Sequence, residues 1–136
     1  MQQNFYVVID EIVRWLNKLD VKVRFENGCE DEYLGEKGLI KICPEQPPES
    51  QLHGLLHEAG HAIIASNQDV YSHYLSEPLA DNSDINVLCE EVVAWEKGKE
   101  LADYLDIEID DVPWMHHRNE SIRNYVENIL DFSKKN

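Results

Sequence analysis

The sequence predicts an α+β fold in which a small antiparallel or mixed sheet packs against one apolar helix and about three further helices. Three observations lead there. Apolar residues recur at helical spacing over residues 4–19, 84–105 and 118–133. Between the first of these stretches and a mid-chain apolar segment lie short β-type runs, one of them strictly alternating. The mid-chain segment itself, residues 50–66, is an apolar, helix-compatible run with helical spacing. With 136 residues and a 43% apolar fraction, the expectation is one domain spanning 1–136 with a modest core of its own.

The first helix is marked by Phe5, Val8, Ile9, Ile12, Leu16 and Leu19, which fall on one stripe. Val21, Val23 and Phe25 then alternate with Lys22, Arg24 and Glu26, the pattern of a half-buried strand. Asn27-Gly28 signals a turn. The acidic segment from Cys29 to Lys37 holds a short Tyr33-Leu34 run, a weak second strand, and Gly38 to Cys43 reads as a third. Pro44, Pro47 and Pro48 end it, because proline cannot donate to a strand ladder. A helix over about 50–66 follows. Leu52, Leu55, Leu56, Ala59 and Ile63 form its core face, with His53, His57, His61 and Ile64 on the adjacent edge. Asn67 to Asp84 is a long polar connection of the kind that walls binding sites. In the next helix, 84–105, Val87, Glu91, Ala94, Gly98, Leu101 and Leu105 share a face. Val112-Pro113-Trp114 is expected to break the chain before a last helix over 118–133. His116 and His117 then belong to the loop that precedes it.

Composition narrows the function classes. No run of about 18 apolar residues exists to span a membrane, and the Met-Gln-Gln-Asn start lacks the basic region of a secretory signal. Cys29, Cys43 and Cys89 are odd in number and widely spaced, which argues for a reducing, cytoplasmic setting. Without a Cys-x-x-Cys pair, a thiolate metal site is not expected. The net charge of −15 disfavours nucleic acid or an anionic membrane as direct partners.

The chemistry concentrates in His57-Glu58-Ala59-Gly60-His61. Residues i and i+4 lie on one helix face, so His57 and His61 can aim two imidazoles at one Zn2+ ion, while Glu58 is placed to act as general base. Gly60 costs roughly 1 kcal/mol inside a helix relative to Ala, so a packing or site reason for it is expected. A third histidine at the metzincin spacing is ruled out by Ile64 and Asn67. The remaining ligand is expected from a later helix. Glu91 shares its face with apolar residues, where an unpaired carboxylate is costly and a metal would neutralise it. Glu90 points about 100° away, towards Asn86 and Lys97, and is the runner-up or a supporting group. His53, one turn before His57, suits a hydrogen-bonding or solvent role better than that of a fourth ligand. Tyr71, His73 and Tyr74 are candidates for a donor to an oxyanion.

On the strand ending at Cys43, the His57-Glu58-Ala59-Gly60-His61 helix and Glu91 followed by Trp95, the chain resembles the ImmA/IrrE-type metallopeptidases and related small phage-encoded zincins over roughly residues 20–105. Val92 and Val93 stand where that family usually carries small residues. The resemblance implies a compact zincin-like domain and an edge strand near Leu39–Ile42 that receives an extended substrate. It also implies zinc-dependent hydrolysis of a peptide bond in a protein or peptide substrate, such as a host or regulatory protein; any regulatory partner is expected to be a separate molecule. Two other classes compete with this reading. One is a zincin-like module that captures a host factor without cleaving it. The other is an acidic DNA mimic in which the metal motif is incidental. The oligomeric state is left open.

Overall fold

The computed structural model describes residues 4–67 and 83–135. Helix α1 spans Phe5–Lys18. Strand β1 is Lys22–Phe25, β2 is Glu32–Leu34 and β3 is Leu39–Ile42, with a single 3-10 turn at Gly35–Lys37 before β3. Helices α2 (Pro48–Ser66), α3 (Ser83–Tyr104) and α4 (Asp111–Lys135) complete the described elements. The architecture is α+β, as expected.

The Asn4 side chain caps α1 by accepting the Tyr6 N–H at 3.0 Å. Val8, Ile9, Ile12 and Leu16 form its buried stripe. Leu19 is the C-cap and is 48% exposed, so the helix ends one residue earlier than the spacing suggested and its buried stripe ends at Leu16. The buried stripe joins Leu52, Leu55, Leu56 and Ala59 of α2 and Ile40 and Ile42 of β3 in one core. Each such side chain contributes about 1.5–3 kcal/mol when fully buried.

The sheet is mixed, in the order β1-β3-β2. Val23 lies opposite Ile40 in the parallel β1-β3 pair, and Tyr33 lies opposite Ile40 in the antiparallel β2-β3 pair. Strand β3 is therefore central, and Leu39–Ile42 is not the edge expected to receive a substrate. The reason lies in its sequence: Leu39, Ile40 and Ile42 are all buried, which suits a strand covered on both sides. Strands β1 and β2 form the edges instead, and β2 is the one at the groove described below.

Helix α2 starts at Pro48, where the missing N–H costs nothing. Residues 51–60 are buried around its whole circumference. Gln51 is satisfied there by donating to the carbonyls of Gln46 (2.9 Å) and Pro44 (3.2 Å). Helix α4 starts at Asp111, about seven residues before the expected position. Val112-Pro113-Trp114 opens this helix and does not break the chain. Proline is tolerated in a first turn, and Asp110 caps that turn by accepting the Val112 N–H at 3.2 Å. His116 and His117 are consequently helical, not loop residues.

Helices α2 and α3 pack most closely of all. A Cβ on Gly60 would run into the Ala94 carbonyl, and one on Gly98 would lie 2.5 Å from the Leu56 carbonyl oxygen. Both obstacles are backbone, which cannot rotate away. We therefore expect Gly60→Ala and Gly98→Ala each to lower stability by a net ~1–2 kcal/mol. The clash outweighs the roughly 1 kcal/mol of helix propensity that alanine brings. Denaturant unfolding checks this, and an unchanged or raised midpoint would show that the helices do not cross so closely.

Candidate metal centre

The centre is built across the α2-α3 contact. His57 and His61, one turn apart on α2, direct their Nε2 atoms to the same carboxylate. His57 Nε2 lies 2.7 Å from Glu91 Oε2, and His61 Nε2 lies 3.0 Å from Glu91 Oε1. Glu91 is 5% exposed and Glu58 likewise 5%. Glu58 Oε2 lies 3.2 Å from the other ring nitrogen, His57 Nδ1. Glu90 Oε2 stands 3.9 Å from His61 Nδ1. Each imidazole thus has Glu91 at Nε2 and a second carboxylate towards Nδ1.

Burial alone would keep His57 neutral. The hydrogen bonds and charges of Glu58 and Glu91 outweigh it and push its pKa up to about 9. Burial alone would also raise the Glu91 pKa, but the hydrogen bonds and charges of His57 and His61 hold the carboxylate well below its usual range. Glu90 is shifted upwards, by its own burial first and then by the charge of Glu91.

The donor set fits a divalent transition metal. One ligand atom each from His57, Glu58 and His61 lie within 4.8 Å of one another, and Glu91 is closer still to both Nε2 atoms. The direction of the rings separates the two carboxylates. Both Nε2 atoms converge on Glu91, whereas Glu58 faces an Nδ1. Ligands about 2.0–2.1 Å from a tetrahedral ion stand about 3.3 Å apart. The 2.7 Å contact of His57 is shorter, the length of a charge-assisted hydrogen bond.

Around the centre is an aromatic layer. Trp95, one turn after Glu91, stacks on His57 with centroids 4.4 Å apart and planes inclined by 10°. Trp114 and His117 of α4 meet Trp95 edge-on at 5.0 and 5.2 Å. His53 is buried against these residues: its Nδ1 lies 3.3 Å from His117 Nδ1, and its ring meets Trp114 edge-on. One nitrogen of this pair must donate and the other accept. Burial, aided by His117, lowers the His53 pKa to about 4. His53 therefore has the hydrogen-bonding role, with a partner far along the chain.

Beside the centre lies a groove of about 440 Å³, walled by Glu58, His61, Glu90 and Glu91, by β2 through Glu32 and Tyr33, and by Asp31 and Tyr125. Asp31 accepts the Cys43 N–H at 2.8 Å and both of its oxygens accept from the Gln46 amide at 3.0 Å, while its carboxylate occupies the space where a Gly54 Cβ would sit. Tyr125 reaches the groove from α4. Its hydroxyl pKa is raised by burial first and then by the nearby charge of Glu91. Sequence reasoning missed Asp31 and Tyr125. The Asp-Asp-Val-Pro start of α4 was the available signal for Tyr125, since a helix starting at Asp111 brings α4 back across the centre. Tyr71, His73 and Tyr74 lie outside the described residues.

The chain matches no protein-family model, no curated protein and no solved structure. Its function must be read from the geometry.

Two predictions follow from this geometry. Glu91→Ala should weaken zinc binding by more than about 100-fold, and Glu90→Ala by about tenfold or less, as measured by competition with a chelator. The reverse order would put the wrong acid in the centre. The second concerns pH. A metal ligand must be a neutral imidazole, yet His57 in the metal-free protein holds its proton up to about pH 9. Zinc binding at pH 7 is expected to expel that proton, and affinity should rise with pH and level off near 9. Calorimetry in buffers of different ionisation enthalpy reads the proton count, and a count of zero would contradict a protonated His57.

Proposed function

We propose that the chain is a zinc-dependent metallopeptidase of the zincin type, similar to the ImmA/IrrE-type enzymes, that hydrolyses a peptide bond in a protein or peptide. The single observation carrying this reading is the convergence of His57 Nε2 and His61 Nε2 on the Glu91 carboxylate, with Glu58 beside them on the same groove.

His57, His61 and Glu91 would hold the ion. When bound there, zinc supplies Lewis acidity, acidifying a water towards a pKa of about 7 and polarising a carbonyl. Glu58 accepts the proton that the water gives up on attack and later returns it to the departing amine nitrogen. Tyr125, with its hydroxyl at the groove, is the described side chain best placed to donate to the oxyanion as charge develops. Trp95 covers one face of His57 and keeps water from it. Strand β2, the sheet edge at the groove, offers backbone groups to an extended peptide.

Glu58→Gln separates this reading from a binding module that cleaves nothing. Gln keeps the size of the side chain and removes the base. The variant is expected to bind zinc as the parent does while hydrolysis falls about 10²–10⁴-fold, with Tyr125→Phe intermediate in the same assay. Zinc content and cleavage of an unfolded protein substrate are the measurements; equal activity in parent and Glu58→Gln would defeat the mechanism.

A further inference from the structure

We infer that the groove at this centre is selective for a cationic segment, so that the peptide it receives carries Lys or Arg close to the scissile bond. The inference rests on the peptidase reading for the identity of the centre and on the groove's own charges for its selectivity.

Asp31, Glu32, Glu58, Glu90 and Glu91 all line the groove, and among the described residues neither Lys nor Arg lines it. The paired Lys and Arg side chains of the described residues lie elsewhere: Arg24 and Lys41 with Glu26, Lys97 with Glu100, Lys99 with Asp111, and Arg123 with Glu120. A divalent ion would offset two of the five formal charges. Glu91 is committed to the two imidazoles and Glu58 to the proton, which leaves Asp31, Glu32 and Glu90 facing the occupant without an internal counter-ion of equal charge.

These three acids are not equivalent. Asp31 is tied down by Gln46 and the Cys43 N–H, so it contributes a fixed field and no reach. Glu90 is half-buried on the wall, and the His61 ring, at 3.9 Å, is its closest basic neighbour among the described residues. Glu32 is exposed on β2, the edge along which an extended peptide would lie. A peptide on that edge projects alternate side chains to one face. Its basic residues would then meet Glu32 on one side of the cut bond and Glu90 at the centre. An acidic peptide would meet like charge throughout, a cost that works as rejection. The net charge of −15 extends the same preference to long range by steering basic partners inwards.

The test uses the zinc-loaded chain and a library of nonapeptides that differ only in the charge of the residues flanking a fixed centre, with cut sites read by mass spectrometry. Peptides cut are expected to carry Lys or Arg within about three residues of the cut bond, with kcat/KM falling as salt rises. The charge reversal Glu32→Lys should lower kcat/KM for basic peptides about tenfold more than for neutral ones and leave zinc content intact. Cleavage indifferent to charge, or favouring acidic peptides, overturns the inference while the peptidase reading stands. If no peptide is cut, fluorescence anisotropy with the same labelled peptides decides. Salt-sensitive binding of basic peptides, weakened about tenfold by Glu32→Lys, upholds the selectivity even as the peptidase reading falls. Equal binding of basic and acidic peptides overturns it.

Discussion

The approach of α2 to α3 is the constraint on which the rest depends. Glu91 can reach two imidazoles on a neighbouring helix only because the two backbones nearly touch, and they touch because Gly60 and Gly98 leave no side chain between them. The two glycines are reciprocal: Gly60 lies against the backbone of α3 at Ala94, and Gly98 against that of α2 at Leu56 and His57. Gly60 also sits inside the motif, between Glu58 and His61. Its cost in helix propensity is repaid in position, since a larger residue would push Glu91 away from the ring nitrogens.

That proximity creates an electrostatic problem. Glu58, Glu91 and His57 are all buried, and isolated charges there would be expensive. In the metal-free chain the problem is met by mutual hydrogen bonding: protonated His57 lies between Glu58 and Glu91, and His61 takes the other oxygen of Glu91. The arrangement is held together by a proton at the place where a metal ion would supply two positive charges. Both Nε2 atoms already converge on one carboxylate, the arrangement that exchange of the proton for an ion would need.

The aromatic layer ties the centre to α4. Trp95 presses on His57, Trp114 and His117 press on Trp95, and His53 closes the circuit from α2. A ring packed between a flat indole and two carboxylates has little rotational freedom, and such preorganisation suits a ligand that must present one particular nitrogen. Helix α4 also delivers Tyr125 to the groove, so one element both braces the centre and completes its wall.

The sequence by itself determined what local periodicity can encode. The i, i+4 spacing put His57 and His61 on one face, the apolar stripes located α1, α2 and α3, and the company of Ala94, Gly98 and Leu101 marked Glu91 as the buried acid and Glu90 as the more solvated one. The tertiary structure decided everything that depends on which elements meet. It placed β3 at the centre of the sheet and β2 at the groove, because strand order is set by pairing partners that no single strand's pattern names. It turned Val112-Pro113-Trp114 from a break into a helix start, because a proline is harmless once Asp110 caps the turn. It also brought Asp31, His117 and Tyr125 to the neighbourhood of a motif up to 68 residues away from them in the chain, between His57 and Tyr125. Periodicity describes the face of one helix, whereas a site assembled from α2, α3, α4 and β2 is specified by their packing.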